Sequence, residues 1–161
     1  MSSLINVLKQ QAAVYEDILK ISQNKTNIIV EGKVTELENL VKLEQSLVVK
    51  VGKLESTREE LVGKLSEELK LKSDSINVSE LVEHLGADES DELRSHQEKI
   101  LGILGNLKHA NELNSRLINN SLEYIDFSIN LLTSVDSGNN SYGNSGKVSD
   151  SKKRSFLDVK L

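Results

Sequence analysis

The residue types that could do acid–base or metal chemistry are scattered along this chain. His84, His96 and His109 are twelve and thirteen residues apart, which is not a spacing at which helical side chains share a metal ion. Neighbouring carboxylates such as Glu59 and Glu60 point to different parts of a helix surface, so they do not form a catalytic pair. The sequence has no glycine-rich phosphate loop, His-Glu-x-x-His or Gly-x-Ser-x-Gly motif. We therefore predict a protein that is not an enzyme and has no catalytic residues, metal site or cofactor.

Composition favours a small helical protein. The 161 residues fit one domain. With 37% hydrophobic and 3% aromatic residues and no proline, a leucine-rich helical bundle is the expected fold. Absence of cysteine excludes disulfides and thiolate chemistry. The amino-terminal residues do not resemble a signal peptide, and no segment approaches the roughly 18 apolar residues of a membrane span, so we expect no membrane insertion and a cytoplasmic location.

The net charge of −5 is unevenly distributed. Residues 137–161 contain five basic and two acidic residues, a net of +3, so the rest of the chain carries −8. Because duplex binding depends on neutralising phosphates, an acidic body argues against a nucleic-acid partner. Protein partners are the remaining expectation, with no nucleic acid and no small-molecule substrate.

Hydrophobic periodicity predicts the helices. The clearest heptad seam is aliphatic at Leu37, Leu40, Leu47, Val51, Leu54, Leu61 and Leu65. Similar spacing predicts helices at about 3–30, 34–71, 79–85 and 89–135, and Gly32 can supply the positive φ that ends the first. We predict an all-α fold: an antiparallel bundle or coiled coil of three long helices plus a short connecting helix over residues 1–136. Residues 137–161 are expected to form a disordered, flexible basic tail.

Four polar residues interrupt the apolar stripes. Glu44 and Arg58 lie two heptads apart in the seam of the second helix, where a charge can fix register at some cost in stability. Alternatively, each long stem packs while its charged head reaches water. Asn111 and Asn114 interrupt the third helix, either as a polar layer that sets register or as part of a surface that recognises a partner.

The third helix is predicted to be longer than its neighbours. At about 1.5 Å per residue the three long helices would span roughly 40, 57 and 68 Å. Few helices are left to bury the end of the longest one, which carries Ile125, Ile129, Leu131, Leu132 and Val135. Exposed aliphatic surface of this kind marks a partner site, so we predict that another protein binds there.

Three segments, in their order, resemble the FlgN family of flagellar type III export chaperones. They are the hairpin segment at 37–47 with Leu54, Glu55 and Arg58, the helix from Asn111 to Ile125, and the tail Tyr142-Gly143-Asn-Ser-Gly146 followed by 155–158. The resemblance implies a cytoplasmic chaperone for bacterial flagellum biogenesis. Such a chaperone holds the carboxy-terminal helices of hook-associated proteins (FlgK- and FlgL-like) and brings them to the cytoplasmic domain of the FlhA-like export gate.

Three sets of site residues follow from the stripe, the interruptions and the resemblance. The predicted client-binding set is Asn111, Asn114, Leu117, Ile118, Leu122, Ile125, Ile129 and Leu132. Docking to the export gate is predicted for Tyr142, Gly143 and Gly146, because the resemblance associates the tail tyrosine with the gate. Glu44 and Arg58 are predicted to set register. The alternative functions are a self-associating coiled-coil scaffold and a regulatory protein that sequesters a partner's helix.

Overall fold

The computed structural model describes residues 1–69 and 84–138. Within these ranges the chain forms three helices: α1 at Ser2–Val30, α2 at Val34–Glu68 and α3 at Ala87–Gly138. The all-α fold class is confirmed for this part of the chain. α3 extends through Gly138, two residues into the predicted tail. The predicted short helix at 79–85 lies outside the described residues except for His84 and Leu85, which precede α3 in a turn, and the tail from residue 139 also lies outside them.

A glycine-centred turn joins α1 to α2. Gly32 has φ of 68°, the left-handed conformation that an L side chain disfavours, so the predicted positive φ is confirmed. The amide of Gly32 donates to the Ile29 carbonyl at 3.1 Å, and the amide of Lys33 donates to the Ile28 carbonyl at 3.1 Å. This pair of bonds is a Schellman motif, which satisfies the last carbonyls of α1 while the chain reverses.

The chain divides into two compact units, Met1–Leu122 and Glu123–Leu161. In the first unit α1 is the central helix, because it buries twelve residues whereas α2 fully buries only Val62. At 100° per residue the buried positions of α1 cover an arc of about 220°, which is wider than one neighbouring helix can cover. Both α2 and α3 therefore pack against it.

Side-chain bonds give the direction of each helix in the first unit. Gln11 bonds Glu55 and Lys25 bonds Glu44, so α2 runs antiparallel to α1. Along α3 the partners are Glu92 for Lys9, Lys99 for Glu16 and Asn111 for Ser22, and they advance together with the residues of α1. α3 therefore runs parallel to α1.

The three helices meet in an apolar cluster near the start of α1. Its buried members are Leu4, Ile5 and Leu8 of α1, Val62 of α2 and Leu93 of α3, and both Leu4 and Leu93 are almost completely inaccessible. Full burial of such a side chain contributes about 1.5–3 kcal/mol. This cluster holds the three helices together at one end of the bundle.

Two glycine-to-alanine substitutions should change stability in opposite directions. A Cβ at Gly32 or at Gly52 would meet no atom within 4 Å, so neither substitution creates a clash. Gly32→Ala should destabilise the fold by about 1–2 kcal/mol because alanine disfavours the positive φ. Gly52→Ala, within α2, should stabilise the fold by about 0.5–1 kcal/mol because glycine is a poor helix former. Urea denaturation of the full chain measures both values, and shifts of the same sign would contradict this assignment of the turn.

Candidate protein-binding surfaces

Both asparagines of the predicted client-binding set bond to α1. The Ser22 hydroxyl donates to Asn111 Oδ1 at 2.7 Å, and the Thr26 hydroxyl donates to Asn114 Oδ1 at 2.6 Å. Asn114 Nδ2 also donates to the Ser22 backbone carbonyl at 2.8 Å. Ser22 is 0% exposed and Asn114 is 5% exposed, whereas Asn111 reaches the surface. Asn114 is therefore an internal residue whose amide is bonded at both its oxygen and its nitrogen.

These bonds fix the position of α3 along α1. A shift of α3 by one residue would separate Asn114 from both Ser22 and Thr26 and leave buried polar groups without partners. Each such loss costs about 1–3 kcal/mol. The geometry is that of a polar layer between helices, one of the two alternatives that the sequence left open for this asparagine pair.

Glu44 of α2 forms a cross-helix ion pair with Lys25 of α1. Lys25 Nζ donates to both carboxylate oxygens of Glu44, at 2.8 and 2.7 Å. The two side chains are only 12% and 18% exposed, so little solvent screens the pair. Removal of one partner would leave the other charge largely buried, which is strongly destabilising. A contact of this kind is what the predicted register-setting role of Glu44 requires.

Arg58 is linked to α1 by hydrogen bonds through a carboxylate of its own helix. Its Nε and Nη2 donate to Glu55 at 2.9 and 2.6 Å, and Glu55 Oε2 also accepts a bond from Gln11 Nε2 of α1 at 2.9 Å. The hydrogen bond from Arg58 lowers the pKa of the Glu55 carboxyl below its usual 4.5 and raises the pKa of the guanidinium. Burial, with the nearby Glu55 charge, raises the pKa of the Tyr15 hydroxyl. The predicted register role of Arg58 would therefore act through Glu55.

The aliphatic residues of the predicted client site that belong to the first unit differ in exposure. Leu117 is half-buried, whereas Ile118 and Leu122 are exposed. Ile118 and Leu122 are four residues apart and therefore share one face of α3. This part of the predicted set is thus a pair of solvent-accessible side chains next to a half-buried leucine.

The second unit presents apolar side chains on two faces of α3. Ile125, Ile129 and Leu132 are all exposed and lie within an arc of about 60° at 100° per residue. A second exposed set, Tyr124, Phe127 and Leu131, occupies a similar arc centred about 140° away. Six large apolar side chains exposed within nine residues are far more than scattered surface hydrophobics and mark an interaction site.

The two aromatic members of the second face were missing from the predicted site. Tyr124 is 72% exposed and Phe127 is 63% exposed. A signal for them was present, because the whole chain has only five aromatic residues and two of them fall within this short segment. Exposed aromatic residues are frequent at interface hot spots, so this face is a further candidate for contact with a partner.

The gate-docking residues of the prediction, Tyr142, Gly143 and Gly146, lie outside the described residues. Among residues 1–69 and 84–138, no group of three or more histidine, aspartate and glutamate side chains could hold a metal ion. His84 and His109 are exposed, and His96 lies 4.0 Å from Glu92 on the same helix. None of the described helices combines the length and hydropathy needed to span a membrane.

Comparison with known proteins shows which sequences the chain resembles. The model of the family described as FlgN protein matches residues 1–150 of the chain. The chain is also similar to the uncharacterized protein YvyG of Bacillus subtilis (strain 168), with 26% identity over 159 residues that cover 98% of this chain and 97% of YvyG. No solved structure matches the chain.

Asn114→Ala should destabilise the bundle by about 1–3 kcal/mol, because the Thr26 hydroxyl and the Ser22 carbonyl lose their buried partner. Asn119→Ala is a matched control, since Asn119 is an exposed residue of the same helix, and it should change stability by less than about 0.5 kcal/mol. Chemical denaturation followed by circular dichroism measures both. Equal effects of the two variants would show that the polar layer does not hold α3 to α1.

Proposed function

Since the chain belongs to the FlgN family, we propose that it is a flagellar export chaperone. It binds the carboxy-terminal helices of hook-associated proteins of the FlgK and FlgL kind and delivers them to the cytoplasmic domain of an FlhA-like export gate. The observation that carries this proposal is the exposed apolar surface of α3, which includes Ile125, Ile129 and Leu132. The family match over residues 1–150 supports a role in flagellum assembly, and type III export from the cytoplasm is the setting that we propose for it.

Helix capture is the binding mode that suits this surface. An amphipathic client helix can lay its apolar face against the exposed stripe and remove both apolar surfaces from water. Each square ångström of apolar surface buried in this way contributes roughly 25 cal/mol, before the cost of association. No nucleotide or metal is needed for such capture, in keeping with a chaperone that holds its client until export.

Client contact is assigned to the exposed members of the predicted set, namely Ile118, Leu122, Ile125, Ile129 and Leu132. The other three members of the predicted set do not contact the client directly in this proposal. Asn111 and Asn114 bond α1, and Leu117 is half-buried, so these residues support the helix that presents the stripe. Glu44 and Arg58 contribute to the register of the hairpin through Lys25 and Glu55.

Gate docking is assigned to Tyr142, with Gly143 and Gly146 on either side of a short polar pair. Glycines allow the backbone to turn, and a tyrosine combines a large apolar ring with a hydroxyl that can bond a partner. Client capture on α3 and gate docking in the tail are then separate activities of one chain.

Ile125→Asp combined with Ile129→Asp should abolish client binding and leave helicity nearly unchanged. Both residues are exposed, so the new carboxylates disturb no buried core but place charge where a client would need an apolar surface. The assay is fluorescence anisotropy with a labelled peptide of the carboxy-terminal helices of a hook-associated protein, together with circular dichroism. Leu43→Asp with Val49→Asp, two exposed aliphatic residues of α2, is the matched control and should bind normally. Global unfolding of the α3 variant, or unchanged binding, would contradict the proposed site.

Tyr142→Ala should weaken binding of the chaperone–client complex to the cytoplasmic domain of the gate by tenfold or more. Truncation of an aromatic hot-spot residue typically costs about 2 kcal/mol or more, while thermal stability and client affinity should not change. Titration calorimetry with the client present measures gate affinity. Asn144→Ala, two residues along the same segment, is the control and should bind like wild type. Equal gate affinity of wild type and Tyr142→Ala would refute this role of the tail.

A further inference from the structure

Two cavities, together called the groove, lie between α2 and α3 in the first unit and are also lined by α1. The wider part of the groove has a volume of about 640 Å³ and is lined by residues of all three helices, among them Ile18, Val48, Leu107 and Ile118. The narrower part, about 370 Å³, includes Leu8, Ile100, Leu101 and Leu104. Tyr15 lines both parts, so the two cavities lie next to each other along α1.

The charged side chains that line the groove are already paired with one another. Lys25 is bonded to Glu44 in the wider part, and Arg58 is bonded to Glu55 in the narrower part. No other charged residue is among the described residues that line the groove. A charged ligand would therefore find no unpaired opposite charge there. A charged group placed in it would lose its hydration without gaining a partner, which is unfavourable. The groove therefore selects an uncharged, apolar surface.

Apolar side chains remain accessible along the groove. Val48 of α2 is 55% exposed and Leu101 of α3 is 60% exposed, one in each part, and Ile118 adds a third exposed side chain. The lining residues of α1 extend from Leu8 to Lys25. Seventeen helical steps correspond to about 26 Å, which is the length of a helix of about 17 residues.

We infer that this groove is a seat for an amphipathic helix of the client, packed between α2 and α3 as a fourth member of the bundle. The occupant has an uncharged apolar stripe about 17 residues long, because the charges within the groove are internally paired. This inference rests on the proposed chaperone function, and it adds a binding surface within the first unit.

The test uses two groove variants of the full chain, each with a control on the same helix. Val48→Asp and Leu101→Asp place a carboxylate in the groove, whereas Val49→Asp and Leu113→Asp place it at exposed positions that are not part of the lining. The probe is the same labelled peptide of a hook-associated protein's carboxy-terminal helices. Each groove variant should lose affinity at least tenfold, and each control should remain within about twofold of wild type.

A labelling experiment keeps the inference testable if an aspartate variant fails to fold. The chain has no cysteine, so Val48→Cys and Val49→Cys each provide one site for an environment-sensitive fluorophore. Peptide binding should shift the emission of the label at position 48 to shorter wavelength and leave the label at position 49 unchanged. Equal responses at the two positions would overturn the groove as the seat.

The outcomes separate this inference from the proposed function. If wild type binds the peptide and the groove variants bind as well as their controls, the groove assignment is wrong and the chaperone function stands. If wild type binds no peptide at all, the proposed function fails and the inference fails with it. Sedimentation gives a third outcome. If the wild-type chain is a dimer and Val48→Asp converts it to a monomer, the groove is a contact between copies of this chain and the inference of a client seat is wrong.

Discussion

The wide apolar arc of α1 is the constraint on which the bundle depends. Twelve buried residues spread over about 220° of its surface, more than one helical neighbour can shield. Two helices must therefore pack against α1. They are α2, which follows a tight turn and runs antiparallel to α1, and α3, which runs parallel to it. Because α2 and α3 both pack against α1, a groove is left between them.

Packing along α1 changes character from one end to the other. Near residues 4–8 the three helices share an apolar cluster, which is adhesive but not directional. Near residues 22–26 the contacts are directional: Ser22 and Thr26 bond the asparagines of α3, and Lys25 bonds Glu44 of α2. The bonds near residues 22–26 therefore set the register of α3 against α1, within the same unit as Ile118 and Leu122.

Sequence periodicity predicted the helices well and the depth of burial poorly. The heptad seam of α2 was the clearest signal, yet residues such as Leu47 and Leu54 are only half-buried, whereas the less regular α1 is the central helix. The spacing of apolar residues identifies which face of a helix packs against another helix. The number of neighbouring helices depends on tertiary packing, which the spacing does not reveal. Likewise, the partners of Asn111 and Asn114 lie almost ninety residues earlier, at Ser22 and Thr26, and no local pattern connects them. The exposed stripe of α3 was predictable from its length, while its aromatic face was not recognised.

The function that we propose requires this chain to bind a client helix rather than a copy of itself. Sedimentation velocity of the wild-type chain, alone and with the carboxy-terminal helices of a hook-associated protein, distinguishes these two kinds of binding. We expect a monomer that forms a one-to-one complex when the client is added. An oligomer that forms without the client and does not bind the client would instead identify a self-associating scaffold, and the proposed function would be wrong.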